Sequence, residues 1–523
     1  MTTDIQPHIG DAQVSHEPRT FHINIFGNFS GLDQERAELT ARTFSKNTWD
    51  KLFSDLAPRW NGTVVLPKVD DLKVSLSFGS LKEFSAKGIA AQIPLLAAIK
   101  SAKERIEAAN KENTVSPAGL VAEFPALKTV QSMAAAQGEN KVIDLLSMVD
   151  LGDEEEEEES SLRLPNLKTF FGTTVYEGDK RSKVAYELDE IQRHVMTQIQ
   201  AEKSLNELHG QWRGLKLFLR YLTPNLKVSI VDCMKSEVCD AVFLLHVKPE
   251  THDPLPMDLA IFCDYFGNTD DDRHLLHYLG RMGETLSVPM LLNGSPQIFM
   301  AKSWRLLAMT RDFSGKLSTP AHIKWRKLRD EESSSWLFLA LNPFLVSDPD
   351  VPEEQRVFAP PSYYLGLVMI YHLSQDAWPS ELLGPLGHLS ISPGCVVEFS
   401  KDQGDDLAFE GFTAISGFEK RDFLSILGMT CFGTIKIPAS DKLDARNLVE
   451  YSLPYRFFAG CCSRQLRTLH PDADLVEALR AYARLEAGTE IREEQGDEGQ
   501  RLLQFRAPFP VFNSFPNLIL AVD

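Results

Sequence analysis

The chain is poor in the spacings from which most active and metal sites are built. Its 523 residues hold seven cysteines, Cys233, Cys239, Cys263, Cys395, Cys431, Cys461 and Cys462, an odd number with no Cys-x-x-Cys pair. Neither a disulfide framework nor a zinc ribbon is indicated. Most lie in apolar runs such as "AIFCDYF", "GMTCFGT" and "FFAGCCS", where a reduced cysteine packs as a small hydrophobe. Basic residues are in deficit: 54 Lys and Arg against 73 Asp and Glu leave a formal charge of −19. Phosphate neutralisation needs a basic face, so nucleic acid is not an expected partner, and an anionic membrane is disfavoured for the same reason. No apolar run approaches the roughly 18 residues needed to cross a bilayer. The N-terminus "MTTDIQPHIGDAQ" has no basic region followed by an apolar segment, so no secretory signal and no membrane insertion are expected. The expectation is a reduced, cytoplasmic protein.

Catalytic motifs are missing as well. There is no phosphate loop, no Gly-x-Gly-x-x-Gly after a strand, no His-Glu-x-x-His and no Gly-x-Ser-x-Gly,. "RHLLH" sets His274 and His277 three apart on a helix, a spacing that offers two metal ligands on one face. No third ligand can be located, and Asp270 to Asp272 read better as carboxylates opposing the helix dipole. "LNGSPQ" presents Ser295 at a nucleophile-like position, yet Asn-Gly and Ser-Pro are turn dipeptides. An enzyme built on Asp264, His274 and Ser295 would need distant residues to converge. No catalytic residue, cofactor or metal is therefore expected.

What is present is an ordinary globular composition, 43% apolar and 24% charged, in a chain long enough to bury a large core unaided. "FHINIFG" alternates as a strand, "SGLDQERAELTARTF" reads as loop or short helix, and "WDKLFSDLA" is helical with Ser45 or Asn47 as cap,. "LKVSLSF" alternates as a strand, and the helical run that follows is interrupted at Pro94,. "VIDLLSMVDL" is a short amphipathic helix running into Asp153 and Glu154 to Glu159. Six adjacent glutamates repel one another and resist packing, which marks a linker. Leu188, Ile191, Val195, Ile199, Leu205 and Leu208 then recur at helical spacing along one long helix,. "KVSIVDC" and "DAVFLLHV" read as strands and "MDLAIFCDYFG" as a fully buried one,. The helix and strand that follow it complete a βαβ unit. Helices over "PSYYLGLVMIYHLSQDAW" and "VEYSLPYRFFAGCCSRQLRTL", a strand around "TAISGF" and two closing strands finish the chain.

Several of these stretches, in order, resemble the contractile sheath of the type VI secretion system. "FHINIFGNFSG" is similar to the opening strand of the small sheath subunit, with Asn28 in place of the Asp of its Gly-Asp-Phe-Ser-Gly turn. Leu56 to Arg59 and Ser80 to Ser85 follow that subunit's Leu-Ala-Pro-Arg and Asp-Phe-Ser-Pro turns. "LNELHGQWRGLKLF" resembles the large subunit's Trp-Arg-Gly segment, carrying Trp212, Arg213 and Gly214. "MDLAIFCDYFGN", with Asp264 and Tyr265, is similar to its strand ending in Gly-Asp-Tyr-x-Phe. "ISGFEKRDFLSILGMTCF" and "LVEYSLPYRFFAGCCSRQL", the latter with Pro454 and Tyr455, follow two of its helices.

The resemblance implies a fused pair of subunits: an arm over 1–20, a small-subunit-like domain over 21–140, an acidic linker over 141–186 and a large-subunit-like domain over 187–523. It implies a mixed α/β, sheath-protomer-like sandwich of β-sheets with packed helices and strand-exchanging termini. The implied role is a structural protomer of hexameric rings or a helical tube in the bacterial cytoplasm, around an inner-tube protein and on baseplate components. A non-polymerising cap, baseplate adaptor or assembly regulator is the alternative, favoured by the fusion and by a length shorter than the two family subunits together. Ile143, Leu145 and Leu146 occupy the place of the helix read by a Clp-type AAA+ ATPase, or are plain helix within a connecting loop. Trp212 is expected to pack the long helix onto the next sheet, Gly210 and Gly214 to allow close approach or a helix break, and Arg213 to form a buried or inter-subunit ion pair.

Overall fold

The alternating run "FHINIFG" becomes β1 (Phe21–Gly27), and it lies in the middle of a sheet whose other long strands come from much later in the chain. The computed structural model describes residues 20–66, 71–108, 116–129, 179–375, 384–389, 394–417, 423–434, 451–469, 490–495, 501–506 and 518–522, with positions 382 and 391. On one side β1 pairs in parallel with β5 (Leu226–Asp232), Phe21 opposite Leu226. On the other it pairs in parallel with β6 (Leu259–Phe266), Ile23 opposite Leu259. Beyond β6 come β7 (Met290–Gly294), β8 (Leu337–Leu341) and β12 (Phe412–Gly417), all parallel. The antiparallel strands β13 (Leu424–Leu427), β11 (Gly384–Pro385) and β2 (Ala41–Phe44) close the two edges, giving the order β11-β13-β12-β8-β7-β6-β1-β5-β2.

Parallel strands are buried on both faces, and these strands carry apolar side chains on both. Ile23, Ile25, Val228, Ile230 and Ile261 face one core; Phe26, Val231, Ala260, Phe262 and Leu292 face the other. The first face is covered by α3 (Pro94–Glu107), α4 (Asp179–Ala201), α5 (Lys203–Phe218) and α7 (Pro361–Ser374), with the hairpin β3 (Arg59–Val64) and β4 (Leu72–Ser77) and helix α1 (Trp49–Leu56) in the same core. The second is covered by α6 (Asp270–Leu286), α8 (Lys401–Phe409) and shorter helices. The mixed α/β class thus takes the form of one large sheet between helical layers. The large sheet and the core on its first face both draw residues from before 141 and after 186. Residues 1–19, the acidic run, Ile143, Leu145 and Leu146 lie outside the described residues.

Several local expectations are corrected. "DAVFLLHV" is a helix over Val238–Val242 continuing into one π turn over Phe243–Val247. Val238, Ala241, Val242 and Leu245 are the buried positions, a helical spacing masked by the exposed Phe243 and Leu244,. The run 30–44 is loop and then β2, and "RWNGTV" is the strand β3. Neither Ser45 nor Asn47 caps α1: Thr48 holds that position without a side-chain bond. The long helix is two, broken where Glu202 is extended (φ −64°, ψ 116°). Leu424–Leu427, in the stretch similar to a family helix, is a strand paired to β12. Pro94, as expected, separates two helices: α2 (Ala86–Gln92) ends before it and α3 starts on it.

Candidate functional site

Two features gather the residues that stood out in the sequence. The first is the joint around Trp212. Helix α5 buries Leu205, Leu208, Trp212, Leu215 and Phe218 on one stripe. Trp212 is wholly enclosed, and its Nε1–H donates to the Phe29 carbonyl at 2.9 Å. Its ring stands edge-on to Phe29 and Trp49 at 5.8 and 5.7 Å, with Phe53 at 4.3 Å. The indole is therefore seated in a socket built by the first 60 residues, within the core that also holds Ile23, Ile25, Val228 and Ile230 of the large sheet. Trp60 Nε1–H donates to Ser204 Oγ at 2.9 Å, and the Gln198 amide exchanges two 2.9 Å bonds with the Val65 backbone.

On the opposite side of α5 the close approach is literal. A Cβ on Gly210 would overlap the Phe358 carbonyl, and one on Gly214 would lie 2.5 Å from Tyr363 Cδ2 and 2.9 Å from Ala359 Cβ. Arg213 makes no ion pair among the described residues. Its Nη1–H donates to the Val346 carbonyl at 3.0 Å and its Nε–H to His209 Nε2 at 3.0 Å. Within this chain, then, its partners are a carbonyl and a neutral imidazole, not a buried carboxylate. His209 is stacked on Phe84 at 4.7 Å. Burial, aided by the Arg213 charge, pulls the His209 pKa down to about 3, which keeps its ring an acceptor.

The second feature is a cleft at the carboxyl ends of the parallel strands, the place where open α/β sheets bind ligands. A cavity of about 930 Å³ is lined by Tyr265, Ser295, Trp304, Glu207 and Arg356 among others. A smaller one of about 210 Å³, sharing Lys203, Glu207, Tyr265 and Phe358 with it, reaches Asp264 and Gln211. Asp264 is aimed there by an irregularity in the ladder: the β6–β7 register shifts between Ile261 and Tyr265. The fully buried Asn293 fills the break, its Nδ2 donating to the carbonyls of Phe262 at 2.8 Å and Cys263 at 3.1 Å, while its Oδ1 accepts from Ser362 N–H at 2.7 Å. Such bulges re-aim side chains near sites.

Asp264 Oδ2 is enclosed, and the carboxyl pKa is pushed up to about 7 by burial, opposed by Lys235 and reinforced by Glu207 and Asp272. Burial raises the Glu207 carboxyl too, against the pull of Lys203. Lys235 is already paired with Asp272 and donates to the Tyr265 carbonyl at 2.6 Å. Sequence reading found Asp264 and Tyr265 through the resemblance but passed over Gln211, Glu207 and Asn293. Only a polar residue inside an apolar strand, Asn293 in "MLLNG", hinted at the last.

The residues considered for catalysis do not converge. Ser295 shares the larger cavity with Tyr265, but its Oγ caps a short helical turn by accepting from Gln297 N–H at 3.3 Å. His274 lines a separate groove of about 740 Å³ with Phe243 and Tyr278. His277 is bonded to Glu331 at 2.6 Å. The Asp triplet does sit in the first turn of α6, where Thr269 is the cap. Pro454, buried, and Tyr455, half-buried, start α9 (Leu453–Leu469), which is anchored through Arg464 to Asp258 at 2.7 Å. Asp258 also accepts the His22 N–H at 2.8 Å, tying that helix to the start of β1. Among the described residues no helix is long and apolar enough to cross a membrane.

Comparison with known proteins matches residues 3–118 to the family described as type VI secretion system VipA or Hcp2. Residues 254–360 match VipB, described as the EvpB tail sheath N-terminal domain. Both matches fall within this one chain. The VipA match begins inside the segment read as an arm and contains β1 to β4; the VipB match contains β6 to β10, counting β9 (Phe344–Leu345) and β10 (Phe358–Ala359). The Trp212 segment and residues 415–466 lie outside both matches. The type VI secretion system sheath protein TssC1 of Pseudomonas aeruginosa is 25% identical over 166 residues, 27% of this chain and 32% of that protein. The match therefore spans about a third of that relative's length. Among solved structures, the contracted helical sheath of the anti-feeding prophage has 13% identity over 56% of this chain and 76% of that one, TM-score 0.32. The 6-fold symmetrised baseplate of the same particle has 11% identity over 59% and 75%, TM-score 0.32.

Proposed function

We propose that the chain is a structural protomer of a type VI-like contractile sheath, in which the parts normally carried by two subunits fold as one unit. The observation that carries this reading is the position of β1. A strand of the VipA-matching segment lies between β5 and β6, the latter in the VipB-matching segment. Neither segment can complete the sheet or its core alone, so joining them in one chain fixes their ratio and removes an assembly step.

Assembly into rings or a helical tube needs heterologous contacts that do not close, and strand addition at a sheet edge is a suitable one. The large sheet ends in short edges, β2 of four residues and β11 of two, which present little to pair with. The antiparallel sheet of β14 (Glu490–Gln495), β15 (Arg501–Arg506) and β16 (Leu518–Val522) has longer outer strands, and we assign the inter-protomer strand addition to it. Contraction would repack contacts between protomers around an inner tube, above a baseplate, with no chemistry inside one.

Negative-stain microscopy of the purified chain, with and without an inner-tube protein, tests this. Tubes or stacked rings are expected, and removing residues 1–20 should abolish them while circular dichroism stays unchanged. A monodisperse monomer at high concentration, with the inner tube present, would overturn the protomer reading and leave a sheath-derived cap or adaptor.

A further inference from the structure

The small cavity at the end of β6 holds more buried acceptors than donors. Asp264 Oδ2 and Gln211 Oε1 both line it, both are enclosed, and neither has a hydrogen-bond partner among the described residues. Gln211 is only 8% exposed, so water reaches it poorly, and an unmet buried acceptor costs stability. The nearby cations are committed elsewhere. Lys235 is held by Asp272 and the Tyr265 carbonyl, and the exposed Lys203 pairs with Glu207 at 3.5 Å at the rim.

A ligand that completes this site must bring N–H donors and positive charge. An anion would meet two carboxylates. A divalent metal wants six or more oxygens, and among the described residues no group of three His, Cys, Asp or Glu is placed to hold one. A planar fork of donors can reach a carboxylate and an amide oxygen together, which a point charge does less well.

We propose that this cavity is a binding site for a guanidinium group. Its N–H groups would meet Asp264 Oδ2 and Gln211 Oε1, with its aliphatic stem along Tyr265 and Phe358. The larger cleft, which shares those two side chains, is the route of entry. An arginine side chain of another protein and a free small guanidine share this chemistry.

The test is calorimetric titration of the full chain at pH 8 with methylguanidinium and with N-acetyl-arginine amide. Tetramethylammonium, which has no N–H, and magnesium chloride serve as controls. Saturable binding of a guanidinium probe is expected, weakened at least tenfold by Asp264→Asn and by Gln211→Leu, with neither control binding. Tighter binding of the arginine amide identifies a protein side chain as the source; equal binding identifies a free guanidine. Absence of saturable binding, equal affinity in Asp264→Asn, or binding of either control overturns the assignment. Should Asp264→Asn not fold, Glu207→Gln and the parent titration decide the same question.

Discussion

Trp212 donates its indole N–H to the Phe29 carbonyl at 2.9 Å, joining positions 183 residues apart. Around that bond three aromatic rings of the first segment close on the indole. Helix α5 packs on these rings on one side and on the Phe358–Ala359 backbone on the other.

Removing that ring should be among the most damaging single changes in the chain. Trp212→Ala deletes a fully buried aromatic and leaves a carbonyl unmet, so a loss of about 3–5 kcal/mol is expected. Trp212→Phe keeps most of the apolar contact and loses the bond, costing about 1–2 kcal/mol. Urea unfolding followed by circular dichroism measures both. An effect under half a kcal/mol in Trp212→Ala would show that the two segments do not depend on the joint.

Gly210→Ala tests the other side of the same helix. Helix propensity favours alanine by up to about 1 kcal/mol. The added methyl meets the Phe358 backbone carbonyl, which cannot rotate aside, so overpacking of about 1–3 kcal/mol should prevail. A lowered melting temperature is the expected outcome; a raised one would mean that β10 is free to retreat.

His209 makes the fold acid-sensitive. Its pKa is lowered to about 3 in the folded chain from 6.5, so the unfolded chain takes up the proton first. Stability present above pH 6.5 is lost as the pH falls toward 3, by up to about 5 kcal/mol. His209→Gln retains an acceptor for Arg213 and should flatten that decline. Unfolding free energies between pH 7 and 4 reveal the difference in slope.

Asp264 acts with the opposite sign. Its pKa is raised from 3.8 to about 7, so the folded chain holds this proton more tightly. Stability present below pH 4 is lost as the pH rises through about 7, by up to about 4 kcal/mol. Asp264→Asn should remove this loss and be the more stable protein at pH 8, as read by thermal melts across the range. A parent-like pH profile would place the carboxylate in contact with solvent.

The sequence by itself determined the elements whose apolar spacing is unambiguous. The buried run of β6 and the stripe from Leu188 to Leu208 bury the side chains their spacing indicates, whereas β1 buries Ile23 and Ile25 as its alternation indicates and Asn24 and Phe26 on the other face as well. Ordered short motifs also pointed to a type VI sheath, because turn and packing residues keep local signatures. Where apolar residues covered every side of a segment, as in "DAVFLLHV", period carried no information and only packing chose helix. Tertiary structure alone decided that β1 belongs between β5 and β6, since strand order depends on pairing between residues distant in sequence. It alone turned Arg213 to a carbonyl, and it alone set Asp264 and Gln211 in one cavity. One stands on α5 and the other near the end of β6, a juxtaposition that no local pattern encodes.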